Sequence, residues 1–126
     1  DRFIAGLVRP RDGSLMRAWM VNIDSDDDIE ILIWTCVVGS GSYGELEIFK
    51  FDGVNIQPAQ LPIPDDNLLK GYWGHDMFGL KDGIILRSFP LYLSGDGNCC
   101  PKGGTRTLEL DILENKWKLS NKQINP

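Results

Sequence analysis

A single histidine, His75, is present among 126 residues. Hydrolytic triads are oriented by an imidazole, so this scarcity narrows the catalytic arrangements open to the chain. No apolar run approaches the roughly 20 residues that a membrane-spanning helix needs. Basic residues are outnumbered, 13 Lys and Arg against 18 Asp and Glu, for a formal charge of −5. Nucleic-acid binding depends on a basic footprint and is disfavoured by that balance. A modestly acidic surface suits a basic protein partner by steering the encounter. No segment keeps a helical period over several turns, and no long stretch recurs. The chain starts at Asp1 without a Met-initiated basic and apolar leader. The expectation is a mature or trimmed product from which a signal peptide has been removed.

Cysteine is limited to Cys36, Cys99 and Cys100. An odd count allows one disulfide and a spare thiol, or three reduced thiols. A bridge from Cys36 to Cys99 or Cys100 would close a long loop, worth about 3–5 kcal/mol in the chain-entropy account. Spacing alone does not choose between these states.

What is present is β-strand patterning. Ile29, Ile31 and Ile33 alternate with Glu30, Leu32 and Trp34, so "IEILIWTCVV" reads as a central strand buried on both faces. In the next run Leu46 and Ile48 share one face, with Tyr43, Glu45, Glu47, Phe49 and Phe51 on the other. Asp52-Gly53 and Asp82-Gly83 are hairpin turns, and Glu114-Asn115 turns a last pair of strands. A short helix or turn is expected near "DDNLLKGYW". About eight short strands at this spacing predict a single all-β domain over 1–126, an antiparallel sandwich or flattened barrel.

Few residues are placed for chemistry. His75 lies beside Asp76, but neighbours along a chain do not orient an imidazole as a triad does. With Trp73 and Phe78 nearby, the pair reads as a hydrogen-bonded turn rather than a catalytic one. A cysteine–His75 nucleophile is the enzyme alternative. Zinc held by Cys36, Cys99, Cys100 and His75 lacks the usual Cys-x-x-Cys spacing. A candidate calcium turn places Asn22, Asp24 and Asp26 at alternate positions, with Glu30 on the following strand. It departs from the EF-hand pattern, with Asp27 in the glycine position and Ile33 where the bidentate glutamate would stand. A solvated acidic turn explains the same residues.

One loop is more polar and flexible than a hairpin requires. "VGSGSYGELEIF" leaves a strand through Gly39-Ser40-Gly41-Ser42 and enters the next at Tyr43. Glycines supply positive φ and serines bond locally, which is sufficient for a turn. The same loop also presents hydroxyls and a phenol of large contact area.

Taken in order, "FIAGLVRPRDGSL", the acidic turn with Asp24, Asp26 and Glu30, and "GSGSY" resemble the bacterial periplasmic inhibitors of invertebrate-type (i-type) lysozymes. The resemblance covers Arg2 to Phe51. It implies an antiparallel β-sandwich whose Ser-Gly-x-Tyr loop, here Ser40, Gly41, Ser42 and Tyr43, enters the lysozyme's substrate cleft. It implies a periplasmic or secreted inhibitor without catalytic residues or cofactor, whose partner is an i-type lysozyme. Arg87 and Arg106 are candidates for the interface rim or for ion pairs at a sheet edge. Oligomeric state is left open, with a homodimer among the candidates. The rival from another class is a calcium-stabilised binding or adhesion module, since "NIDSDDDIEI" resembles the Asp-rich loops of FG-GAP-type repeats. Those repeats come in several copies, and this chain holds one.

Overall fold

A computed structural model describes residues 6, 13–24, 26–37 and 43–124. These form eight strands: β1 (Ser14–Val21), β2 (Ile29–Val37), β3 (Tyr43–Phe51), β4 (Ile56–Ala59), β5 (Met77–Lys81), β6 (Ile84–Pro90), β7 (Thr105–Asp111) and β8 (Lys116–Leu119). They pair only with sequence neighbours, giving two antiparallel four-stranded sheets, β1-β2-β3-β4 and β5-β6-β7-β8. The sheets do not close into a barrel, so of the two expected all-β forms the molecule takes the sandwich. Among the described residues there is no helix, and "DDNLLKGYW" is a run of turns closed by bonds such as Leu68 N–H to Asp65 O, 2.9 Å.

The turns form where side chains replace missing ladder bonds. Asp52 accepts from the backbone N–H groups of Val54 and Asn55 through one carboxylate oxygen, 2.8 and 2.7 Å. Asp82 and Gly83 both take positive φ, the backbone that a tight hairpin with native twist requires. At the free edge of the first sheet the register of β1 against β2 slips between Leu15 and Arg17, a bulge that blunts the edge.

The core lies between the sheets. Leu32 and Ile48 from the first sheet meet Ile85, Phe89, Leu108, Leu110 and Trp117 from the second. Leu61, Leu68 and Leu69, from the segment joining the sheets, pack against this cluster. The Trp117 indole N–H bonds the Pro62 carbonyl at 2.8 Å, fastening that segment to β8. Neither sheet buries its apolar face without the other.

The two faces of β2 are covered unequally. Its inner face carries Glu30 and Leu32, both buried, whereas Ile31 and Ile33 on the other face are half-buried and Ile29 is exposed. The isoleucine alternation predicts burial on both faces. The better-buried face is instead the one that includes a carboxylate.

The cysteines pair in a way that spacing does not suggest. Cys99 and Cys100 are bridged to each other, and Cys36, half-buried on β2, is a free thiol. The long-loop bridge from Cys36 is therefore not formed. The bridged pair sits in a loop organised by Asp96, whose carboxylate accepts from the backbone of Leu93 and Lys102 at 2.7 and 2.8 Å.

Candidate functional site

The inner face of the first sheet has two ends. At one end stands the acidic turn before β2, and at the other the loop between β2 and β3. The last paired residues before that loop are Val37 and Tyr43, followed inward by Cys36 and Gly44. Ser40, Gly41 and Ser42 lie outside the described residues, as does Gly39. Tyr43 is the first residue of β3, 43% exposed, with its ring against Tyr72 at 6.0 Å between centroids.

Beneath Tyr43 the second half of the chain supplies a buried anchor. The Asp76 side chain is fully buried and receives three donors. The Gly44 N–H donates to Asp76 Oδ1 at 3.1 Å, and the Tyr72 hydroxyl donates to the same oxygen at 2.5 Å. Arg87 Nε donates to Oδ2 at 2.8 Å. The Arg87 guanidinium also lies over the rings of Tyr72, Phe78 and Phe89, 5.2–5.8 Å from their centroids. Burial, followed by the bond to Asp76, pushes the Tyr72 phenol far above its ordinary pKa. Tyr72 therefore acts as a permanent donor, and the carboxylate, guanidinium and phenol form a closed network.

Gly44 is required by contact rather than by backbone freedom. A Cβ there would stand 2.8 Å from Asp76 Cβ and 3.3 Å from the Phe78 ring. Gly44→Ala is expected to cost about 1–3 kcal/mol by overpacking and to shift Tyr43 with it. A thermal melt reads the loss as a drop of several degrees, and an unchanged midpoint contradicts this packing.

Asp76 also explains its histidine neighbour. His75 takes φ +61° and stacks on Tyr92 with centroids 6.2 Å apart, while its buried Nε2 has no hydrogen-bond partner among the described residues. The sequence predicts a turn held by hydrogen bonds from this pair. Asp76 fits that expectation, and His75 is held by ring contact instead. Cys99 and Cys100, bridged together, present no thiol to His75. Arg87 is an ion-pair residue, whereas Arg106 Nη1 donates to the Leu68 and Lys70 carbonyls, both at 3.0 Å, and so fastens the joining segment.

Sequence reasoning missed Tyr72, Asp76 and Arg87 as one unit. The available signal was "GYWGHD", where Gly71 and Gly74 flank two aromatic residues and both take positive φ. Such a segment is shaped to present side chains, although nothing in it points to Gly44, 32 residues earlier.

At the opposite end, Asp24, Asp26 and Glu30 bring carboxylate oxygens within 4.8 Å of one another. Lys50 Nζ bonds Asp24 at 2.9 Å and Asp26 at 3.4 Å. Its ammonium and the bonds around the turn hold the Asp24 carboxyl below its ordinary pKa despite some burial. Burial raises that of Glu30. Asn22 joins the turn differently from the calcium-loop expectation, its amide nitrogen donating to the Asp26 carbonyl at 2.6 Å.

The fold is thus that of a two-sheet β protein in which the start of β3, at Tyr43 and Gly44, rests on a buried ionic anchor. The family model for the periplasmic lysozyme inhibitor of I-type lysozyme matches residues 1–63. The chain belongs to this family of lysozyme inhibitors. The matched half holds the whole first sheet, the Ser-Gly-x-Tyr loop and the acidic turn, while Tyr72, Asp76 and Arg87 come from beyond it. Neither a curated protein nor a solved structure matches the chain.

Proposed function

We propose that this protein is a periplasmic or secreted inhibitor of i-type lysozyme that blocks the substrate cleft with Ser40, Gly41, Ser42 and Tyr43. Family membership supports the inhibitor reading. The observation that carries the loop is the anchor under it: Tyr43 is exposed, while Gly44, the next residue, bonds a fully buried aspartate. A loop with a fixed base loses less conformational freedom on docking, so more of its contact energy appears as affinity.

The chemistry suits the target. A lysozyme cleft is built around two carboxyl groups, one of them a protonated general acid. The Ser40 hydroxyl and the Tyr43 phenol can each donate to a carboxylate or accept from a carboxylic acid. A Gly-Ser-Gly backbone is thin enough to enter a groove shaped for a sugar chain. Occlusion needs no catalytic step by the inhibitor, so residues 1–126 are read as one non-enzymatic inhibitor domain. The core shared between the sheets supports treating both halves as one unit.

The test is lytic activity on bacterial cell walls, titrated with this protein for an i-type and a chicken-type lysozyme in parallel. Stoichiometric loss of the i-type activity alone is expected. Full i-type activity at a large excess of the protein overturns the reading.

A further inference from the structure

The acidic turn at the far end of the sheet has a feature that a solvated turn does not explain. Glu30 is completely buried, with 0% of its surface exposed. Its Oε1 accepts the Ile23 N–H at 2.9 Å, but Oε2 is buried without a hydrogen-bond partner among the described residues. An ionised carboxylate oxygen left bare in the interior costs several kcal/mol unless a cation or donor meets it. Lys50, opposite Glu30 in the β2–β3 register, is the nearby cation. Its ammonium is spent on Asp24 and Asp26 and bonds neither oxygen of Glu30. Three carboxylates therefore share one positive charge.

We propose that Asp24, Asp26 and Glu30 form a calcium site in which the Lys50 ammonium is a tethered competitor of the metal. The donor set is all oxygen and triply anionic, the chemistry that hard divalent cations select. Calcium binds oxygens at 2.3–2.6 Å, so two ligands on opposite sides of the ion stand about 4.8 Å apart. The three side chains already fall within that span. Magnesium, at about 2.0–2.1 Å and strictly octahedral, needs a tighter cage and sheds its water reluctantly. The buried Glu30, with its unpartnered Oε2, is the residue that a solvated turn would not need. Binding moves Lys50 outward to solvent and gives Oε2 a cation. The site and the polar loop stand at opposite ends of β2, so calcium acts on folding stability and not on the loop's contacts.

The test is calorimetric titration of the full chain, stripped with chelator, using calcium chloride and then magnesium chloride, beside thermal melts in both. The expected Kd for calcium is on the order of 10⁻⁴–10⁻³ M, the range of extracellular modules, with a melting point that rises as calcium is added. Magnesium gives a smaller shift. Lys50→Met removes the competitor and is expected to tighten calcium roughly tenfold, because the triple negative charge is then unopposed. Glu30→Gln keeps an acceptor for Ile23 and weakens calcium at least tenfold while the protein stays folded. Absence of heat and of any melting shift at about 10 mM calcium, in both the wild type and Lys50→Met, overturns the proposal. Equal calcium affinity of Glu30→Gln and the wild type overturns it as well.

Discussion

Asp76→Ala is expected to destabilise the protein by about 3–5 kcal/mol, a large fraction of the stability of a domain this size. The reason is what remains after the carboxylate is removed. Arg87, with only 15% of its side chain exposed, keeps its charge between three aromatic rings with no partner. The Gly44 N–H and the Tyr72 hydroxyl lose their acceptor in the same step. Breaking one side of a buried pair costs more than deleting both sides. The double variant Asp76→Ala/Arg87→Met is therefore expected to be more stable than Asp76→Ala alone. Urea unfolding of the wild type and the two variants measures both differences. A loss below about 1 kcal/mol for Asp76→Ala contradicts the anchor described for the loop.

Tyr43→Ala is expected to weaken inhibition of an i-type lysozyme by at least about thirtyfold, the 2 kcal/mol or more typical of an interface hot spot. Its effect on stability should be small, since Tyr43 is 43% exposed and its described ring contact is the edge of Tyr72. That split separates a contact role from a folding role. Tyr43→Phe keeps the ring and loses the hydroxyl, so its inhibition constant should fall between the two. Ser40→Ala should weaken inhibition less than Tyr43→Ala, because it removes a hydroxyl without a large contact area. The readout is the inhibition constant at fixed temperature, with a thermal melt of each variant as control. Identical constants for wild type, Tyr43→Ala and Ser40→Ala contradict the loop model.

The strands were legible because each pattern was local. Period-two alternation marked β2 and β3, and Asp-Gly turns marked two hairpins, each of which needs only its neighbours in sequence. The loop, too, was visible as an excess of glycine and serine over what a hairpin uses. Its support was not legible. Asp76 reaches Gly44 across 32 residues, and Arg87 closes the pair from β6, a coincidence made by the packing of two sheets. The burial of β2 was only partly legible. The alternation of isoleucines with Glu30, Leu32 and Trp34 reads as burial on both faces and does not rank the two. Here the face containing Glu30 and Leu32 is the better-buried one. The bridge between Cys99 and Cys100 was missed because adjacent cysteines are seldom read as partners.

The most direct measurement is equilibrium binding of this protein to an i-type lysozyme in the presence of increasing chito-oligosaccharide. If the loop fills the substrate cleft, sugar and inhibitor exclude one another, and the apparent Kd of the protein rises in proportion to oligosaccharide. An apparent Kd unmoved by saturating oligosaccharide, with both ligands on the enzyme together, would contradict occlusion of the cleft.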